Sequence, residues 1–307
     1  MATIGIIIVT YNSAAVIGAC LDAALRSGAE VVVVDNASSD GTVAEVAHRR
    51  VRLLANSSNR GFAGAVNQGF GLLSCPYVLL LNPDAILASG FEPLRAACDL
   101  PHAAGAGGRL LDPTGKPQTG FMVRKLPTPT VLALEVLLLN RLWPGNPINA
   151  AYRERRLDSS RVQAVEQPAG AFLMIRRAVW EELRGFDERF WPLWFEDVDF
   201  CRRAADRGYT FYFVPEAVAK HTGAHSLPAL TLEMRRVYWY RSLLRYTAKH
   251  FRPSGVRTVC VAVLLGSLVR AAAECALHGC LRPLAVYGKV MQLAGHVLCG
   301  RDISTIE

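Results

Sequence analysis

The chain has little of what marks several large protein classes. Its 8 cysteines are scattered over 307 residues with no Cys-x-x-Cys pair, so neither a paired-cysteine zinc site nor a dithiol redox centre is encoded. Cys20, Cys98, Cys201 and Cys260 stand among apolar neighbours as small core residues would, which fits free thiols in a reducing compartment. No Gly-x-Gly-x-x-Gly follows the first apolar run and no Gly-x-x-x-x-Gly-Lys-Ser/Thr occurs anywhere, which excludes the two common phosphate-cradling loops. The glycine-rich loop ending in Thr-Arg, used by nucleotidyltransferases, is also missing. The opening Met1-Ala2-Thr3-Ile4 lacks the basic start and small-residue cleavage site of a secretory signal, so a cytoplasmic location is expected. Helix-turn-helix, zinc-finger and RNA-binding patterns are absent, and no nucleic acid partner is expected.

What is present is unevenly distributed. The formal net charge is +8, yet from residue 227 onward there are 11 Lys/Arg against 4 Asp/Glu, so the rest is nearly neutral. The basic tail is also apolar, but its longest uncharged run, 258–269, has only 12 residues, short of the roughly 20 that span a bilayer. Amphipathic helices lying on an anionic membrane surface are expected, with packing against the rest of the chain or against a second subunit in a homo-oligomer as the alternative. At 51% hydrophobic residues the chain can bury one large α/β core with an appendage. The expected division is 1–226 as one domain in two halves, 1–102 and 103–226, with 227–307 as a helical tail.

Short β-branched runs at 5–10, 30–35, 52–55 and 77–81 alternate with helical stretches. This predicts a parallel sheet with helices on both faces, because right-handed crossovers leave few other solutions. Ligands bind beyond the carboxyl ends of such strands. Those ends carry Thr10-Tyr11-Asn12, Asp35 and Asn82-Pro83-Asp84. Ser13 is expected to cap the first helix. Residues 128–143 read as one apolar helix, and 166–175 as a strand interrupted by Gly170-Ala171, small residues where another chain segment or a ligand approaches. Three acids, Glu196, Asp197 and Asp199, crowd behind Trp194-Phe195. They read either as an acidic helix start or as catalytic carboxylates. A last strand over 209–214 leads to Lys220-His221, with His225 beyond.

Six motifs in order carry a resemblance: Ile8-Val9-Thr10-Tyr11-Asn12-Ser13, the Asp35-to-Thr42 loop, Asn59-Arg60-Gly61-Phe62-Ala63-Gly64, Asn82-Pro83-Asp84, Gly170-Ala171-Phe172 and Phe195-Glu196-Asp197. Together they resemble family 2 glycosyltransferases of the GT-A fold, over 4 to about 226. The Asn-Pro-Asp form and the Gly185-Phe186-Asp187-Glu188 turn look most like the rhamnosyltransferase-type subgroup. The resemblance implies a catalytic domain with a mixed central sheet, its Rossmann-like nucleotide-binding half over 1–102 and its acceptor half over 103–226, and inverting transfer from a nucleoside diphosphate sugar. It places Thr10, Tyr11, Asn12, Asp35, Arg60, Asn67, Asn82 and Asp84 at the donor, with Asp35 on a pyrimidine N3–H of dTDP or UDP. Asp84, with His221, would hold Mg²⁺ or Mn²⁺, a hard cation that wants oxygen ligands. Asn82 departs from the family's usual acid and leaves one fewer charge. Asp197 matches the general base and Glu196 its neighbour, with Gly170, Ala171, Trp194 and Glu196 at the acceptor. Asp199 is expected to steady the helix. The implied acceptor is a lipid-linked or polysaccharide hydroxyl in cell-envelope glycan synthesis, with the enzyme on the inner membrane face. The alternatives are a UDP-sugar-dependent transferase, for galactofuranose or an N-acetylhexosamine, and a non-catalytic sugar-nucleotide-binding protein.

Overall fold

The structure, a computed structural model, describes residues 3–223 and 231–303. The chain divides into two compact units. The larger comprises Met1–Leu126, Arg153–Glu188 and Glu196–Ala229, and the smaller comprises Pro127–Tyr152, Arg189–Phe195 and Leu230–Glu307. The helical unit thus takes two segments from the expected acceptor half in addition to the tail.

The larger unit begins with β1 (Ile4–Thr10), α1 (Ala14–Arg26), β2 (Glu30–Asp35), α2 (Thr42–Ala47), β3 (Arg52–Ala55), α3 (Gly61–Leu72) and β4 (Tyr77–Leu81). The four strands are parallel and ordered β3-β2-β1-β4. Alternate side chains of a strand point to opposite faces. Ile6, Ile8, Val31 and Val33 therefore pack with Ile17 and Leu21 of α1 on one face, while Ile7, Val32 and Val34 pack with Val66 and Phe70 of α3 on the other. Burial on both faces explains why these strands read as unbroken apolar runs. The Ser13 cap is not made: its hydroxyl turns back to Tyr11 O at 3.3 Å. Asp40 Oδ2 instead accepts from Ala14 N at 3.1 Å.

The sheet continues with β5 (Ala85–Leu87), α4 (Glu92–Cys98) and β6 (Ala103–Leu111). A separate two-stranded sheet is built from β7 (Val123–Arg124) and a later strand. In the smaller unit follow α5 (Pro129–Val136), α6 (Leu139–Leu142) and α7 (Pro147–Tyr152). The larger unit resumes with β8 (Gln163–Val165), β9 (Gln167–Pro168), β10 (Phe172–Arg176), α8 (Arg177–Glu182), α9 (Glu196–Ala205) and β11 (Thr210–His221). β10 is antiparallel to both β4 and β6, which makes the sheet mixed, and β11 runs parallel to β6. β7 pairs with β9. The last strand exceeds its expected end at 214. A register shift between Val214 and Val218 absorbs Pro215 as a bulge, so pairing resumes and His221 becomes the strand's final residue.

The smaller unit adds α10 (Leu232–His250), α11 (Pro253–His278) and α12 (Arg282–Leu298). The apolar stretch 128–143 is not one helix. Leu138 takes φ 65° and breaks it between α5 and α6. α11 lies directly on α5, since a Cβ at Gly266 would stand 2.4 Å from Val136 O. α11 is continuous for 26 residues and is apolar enough to cross a membrane by length and composition. The 12-residue run understated it because single charges, Arg257 and Arg270, bound that run. Along α11, Val261, Leu265, Leu268, Val269 and Leu277 remain exposed, recurring at the spacing of one helix face.

Candidate active site

The parallel register sets Thr10 beside Asp35 at the ends of β1 and β2. Thr10 Oγ1 donates to Asp35 Oδ1 at 2.7 Å, and Ser38 donates through its N–H to Oδ2 at 2.9 Å and its hydroxyl to Oδ1 at 2.5 Å. Asp35 is buried by this network. Asn12 crosses between the same loops: its N–H donates to Ser38 Oγ and its Oδ1 accepts from Ser39 N, both at 2.8 Å. Its φ of 50° is of the left-handed kind that Asn tolerates. Tyr11 lies half-buried in the same turn. Asn36, one position on, accepts Arg60 N at 3.2 Å, and Arg60 itself is exposed at the start of α3.

The Asn82-Pro83-Asp84 turn joins β4 to β5, and β5 pairs His221 against Ala85. Asp84 and His221 are both buried, with Asp84 Oδ1 3.5 Å from His221 Nε2. Gly223 N donates to Asp84 Oδ2 at 2.7 Å. Gln118 Nε2 donates to His221 O at 2.8 Å, so its Oε1, 2.9 Å from Nδ1, must accept a proton from the ring. Burial holds the imidazole below its ordinary pKa against the opposing pull of Asp84. A neutral ring protonated at Nδ1 presents the Nε2 lone pair to Asp84 and to Asn82 Nδ2 at 3.3 Å. An imidazole lone pair and a carboxylate oxygen this close repel unless a cation or proton is shared. Among the described residues no cluster of three His, Cys, Asp or Glu side chains forms. The His225 alternative lies outside the described residues.

β7 and β9 then bring the acids into place. Their pairing sets Arg124 opposite Gln167, and Ala169 N donates to Met122 O at 3.0 Å. The chain turns at Gly170, whose N–H donates to Asp197 Oδ2 at 3.2 Å. A Cβ there would stand 3.3 Å from the same oxygen, so glycine permits the close approach. Gln167 Nε2 lies 3.4 Å from Oδ2, and Val198 N donates to Oδ1 at 2.8 Å. On the other side, Ala171 O accepts from Asn82 N at 3.0 Å. One dipeptide, Gly170-Ala171, therefore joins the Asp197 carboxylate to the turn that carries Asp84.

Glu196 and Asp197 occupy the first turn of α9. Burial pushes both carboxyls above their ordinary pKa, and for Glu196 the neighbouring Asp197 and Asp199 charges add to it. The N–H groups of Gly170 and Val198 and the Arg124 charge hold Asp197 back. Asp197 therefore ionises before Glu196 as pH rises. Glu196 Oε2 is buried with no hydrogen-bond partner among the described residues. Asp199 is fully buried in an ion pair with Arg203 at 2.7 Å. The same guanidinium donates to Leu183 O and Gly185 O, which fastens α9 to the end of α8.

A family model described as Glycosyl transferase family 2 matches residues 5–183. The chain belongs to glycosyltransferase family 2. A second description, Glycosyl transferase family group 2, matches 154–298. The N-acetylglucosaminyl-diphospho-decaprenol L-rhamnosyltransferase of Mycobacterium tuberculosis is 31% identical over 260 residues, covering 75% of this chain and 83% of that protein. The low-salt glycan biosynthesis hexosyltransferase Agl10 of Haloferax volcanii is 27% identical over 205 residues, 66% of this chain and 61% of its own length. Among solved structures, the mannosyltransferase PcManGT from Pyrobaculum calidifontis, in complex with GDP-Man and Mn²⁺, superposes with TM-score 0.53 at 18% identity over 97% of this chain and 85% of that one. At that identity the likeness speaks for the fold. This glycosyltransferase is a hexosyltransferase with a GT-A fold, similar to rhamnosyltransferases.

Two residues expected at the glycosyltransferase's ligands have partners that the sequence did not point to. Asn67 donates to Phe186 O at 3.0 Å and Glu188 Oε1 at 2.8 Å, and accepts Phe186 N at 3.0 Å, so its amide pins the Gly185 turn. Trp194 belongs to the helical unit, where it lines a pocket with Trp239 and Tyr240. Trp194 and Phe195 take φ of 76° and 70°, strained for bulky residues. Gln118, Arg124 and Gln167 were not anticipated. The first two come from the irregular stretch after β6, where no periodicity marks them.

Proposed function

We propose that this family 2 enzyme catalyses inverting transfer of a deoxyhexose, rhamnose from a dTDP donor, to a hydroxyl of a lipid-linked glycan acceptor at the cytoplasmic membrane face. The observation that carries this reading is the Gly170-Ala171 bridge, which ties a buried, pKa-raised carboxylate to the Asp84 turn. The 31% identical mycobacterial rhamnosyltransferase supports the sugar and the lipid-linked acceptor.

The Thr10, Tyr11, Asn12 and Asp35 loops receive the nucleoside. Asp35 Oδ2, with Ser38 N as its neighbour, has acceptor capacity left for a pyrimidine N3–H. Exposed Arg60 is available to the donor's negative charge. Asp84 and His221 fit a divalent cation, Mg²⁺ or Mn²⁺, because a carboxylate oxygen and an imidazole lone pair already face each other. Such a cation, when bound there, would supply positive charge against the departing diphosphate. Asp197 accepts the proton of the attacking hydroxyl, and its raised pKa makes it a stronger base than an ordinary Asp. Glu196, still protonated, donates a hydrogen bond to an acceptor oxygen. Gly170 N and Gln167 fix the base in orientation. The basic helical unit holds the enzyme to the membrane.

Asp197→Asn removes the base while keeping its shape. Transfer is expected to fall by about a hundred- to ten-thousand-fold, with the thermal shift produced by dTDP-rhamnose and Mg²⁺ or Mn²⁺ unchanged. Near-normal turnover in this variant would put the base elsewhere. Running the same assay with UDP-sugars separates the two pyrimidine donors.

A further inference from the structure

The helical unit holds a pocket of about 290 Å³, at the small end of the roughly 300–1,000 Å³ usual for small-molecule sites. Its wall is unusual for a helix bundle: Arg235, Arg236 and Arg270 stand with Trp194, Trp239 and Tyr240. The single lining carboxylate, Glu135, already accepts from Asn140 Nδ2 at 2.9 Å. Arg236 is paired with Glu274, which also accepts the Tyr287 hydroxyl at 2.8 Å. Among the described residues Arg270 reaches the carbonyls of Glu135 and Val136, both at 3.4 Å. Its Nε is buried with no partner among the described residues, and so is the hydroxyl of Tyr240, which is only 3% exposed. Buried donors of this kind call for an acceptor. Arg270 and Arg236 both bear on the Tyr240 phenol, opposing the rise that burial gives its pKa.

Three guanidinium groups and a spare hydroxyl favour a multiply charged oxyanion, since guanidinium forks match phosphate oxygens bidentately. α11, which supplies Arg270, also exposes Leu265, Leu268 and Val269, and Leu281 and Leu284 stand exposed at the start of α12. An oxyanion site in a helical unit that also exposes apolar surface fits an amphiphile with a charged head for the pocket and a long apolar chain.

We propose that this pocket binds the diphosphate of a polyprenyl-diphosphate-linked acceptor. The proposal rests on the lipid-linked acceptor of the preceding reading and names the part of it that the helical unit grips. It also gives Trp194 a role: it lines the diphosphate pocket three residues before Asp197 in the chain.

Trp194 and Trp239 serve as built-in fluorescent reporters. Farnesyl diphosphate in detergent is titrated into the full chain, with farnesol, inorganic pyrophosphate and phosphatidylglycerol vesicles as competitors. Farnesyl diphosphate is expected to change tryptophan emission saturably, farnesol to compete poorly, and Arg235→Ala and Tyr240→Phe to weaken binding roughly tenfold or more at unchanged melting temperature. Unaltered affinity in both folded variants overturns the proposal. So does equal competition by farnesol, which would make the site merely apolar, or by phosphatidylglycerol, which would make it a general lipid-headgroup site. A transfer assay with a polyprenyl-diphosphate sugar keeps the readings apart. Transfer with normal binding in the variants sinks the pocket and leaves the acceptor reading standing. Variant-sensitive diphosphate binding without transfer to any such acceptor sinks the acceptor reading and leaves an anion site.

Discussion

Two adjacent carboxyls at the start of α9 are kept apart in charge by what surrounds them. Asp197 has three nearby N–H donors and the Arg124 charge, while Glu196 has burial and two anionic neighbours. The environment thus separates the two ionisations, although isolated Asp and Glu differ by only about 0.4 pH units. This has a stability consequence with a definite sign. A carboxyl whose folded pKa is raised binds more protons in the native state than in the unfolded chain. Its cost to stability is complete above the folded pKa and vanishes as pH falls through the folded value to the unfolded one. Glu196→Gln removes that titration and keeps the shape. Its melting temperature is expected to equal or exceed that of the wild type at pH 8, with the difference disappearing towards pH 4. Since Gln imitates the protonated acid beside ionised Asp197, the acid limb of kcat/KM is expected to stay where Asp197 sets it. A limb that moves down by a unit or more in this variant would mean that Glu196 carries the charge. The parent's denaturation curves across pH 4–8, paired with the rate profile, decide both points.

At the scale of elements, the site is made by segments that contribute little regular structure. β7 and β9 have two residues each, yet they set Arg124, Gln167 and Gly170 around Asp197. Gly170→Ala tests this. Its Cβ would enter within 3.3 Å of Asp197 Oδ2 and 3.4 Å of its Cβ, so α9 or the turn must shift. The shift needed is a few tenths of an ångström, so turnover is expected to drop by about three- to tenfold, well short of the hundredfold that a misplacement of 1 Å costs, while the melting temperature changes by only a few degrees. Activity within twofold of wild type would show that the contact gives way freely. The same segments explain what was readable in the sequence. β1 to β4 and their crossover helices were legible because burial on both sheet faces leaves continuous β-branched runs. Asp35, Asp84 and Asp197 stood out as polar residues at the ends of such runs or in a crowded cluster. Gln118 and Arg124 did not, because their positions follow from long-range pairing rather than local pattern. Ser13 misled because Asp40 competes for the helix start, and the end of β11 was placed early because Pro215 normally stops a strand and here sits in a bulge.

Across the whole molecule the chemistry and the basicity are carried by different units, so membrane attachment and sugar-nucleotide binding should be separable by mutation. The proposed attachment has two physical parts. The excess of Lys and Arg beyond residue 227 is attracted to anionic lipid and is screened by salt over a Debye length of about 8 Å at physiological ionic strength. The α11 face, with Leu265 53% and Leu268 55% exposed, adds an apolar part that salt does not weaken. Co-sedimentation of the wild type with phosphatidylglycerol vesicles is therefore expected to decline on going from 0.1 to 0.5 M NaCl (roughly a halving of the Debye length) without vanishing. Leu265→Glu combined with Leu268→Glu places two carboxylates on an exposed face, where substitutions usually change stability by within about 0.5 kcal/mol. The double variant should keep its melting temperature and its donor-induced thermal shift, and lose the salt-resistant fraction of vesicle binding. Its transfer to a long-chain lipid acceptor presented in vesicles should fall, while transfer to a short-chain acceptor in solution persists. If the double variant still sediments with vesicles at high salt, α11 is covered by protein rather than lipid, and analytical ultracentrifugation of the wild type should then find a second copy of this chain on that face.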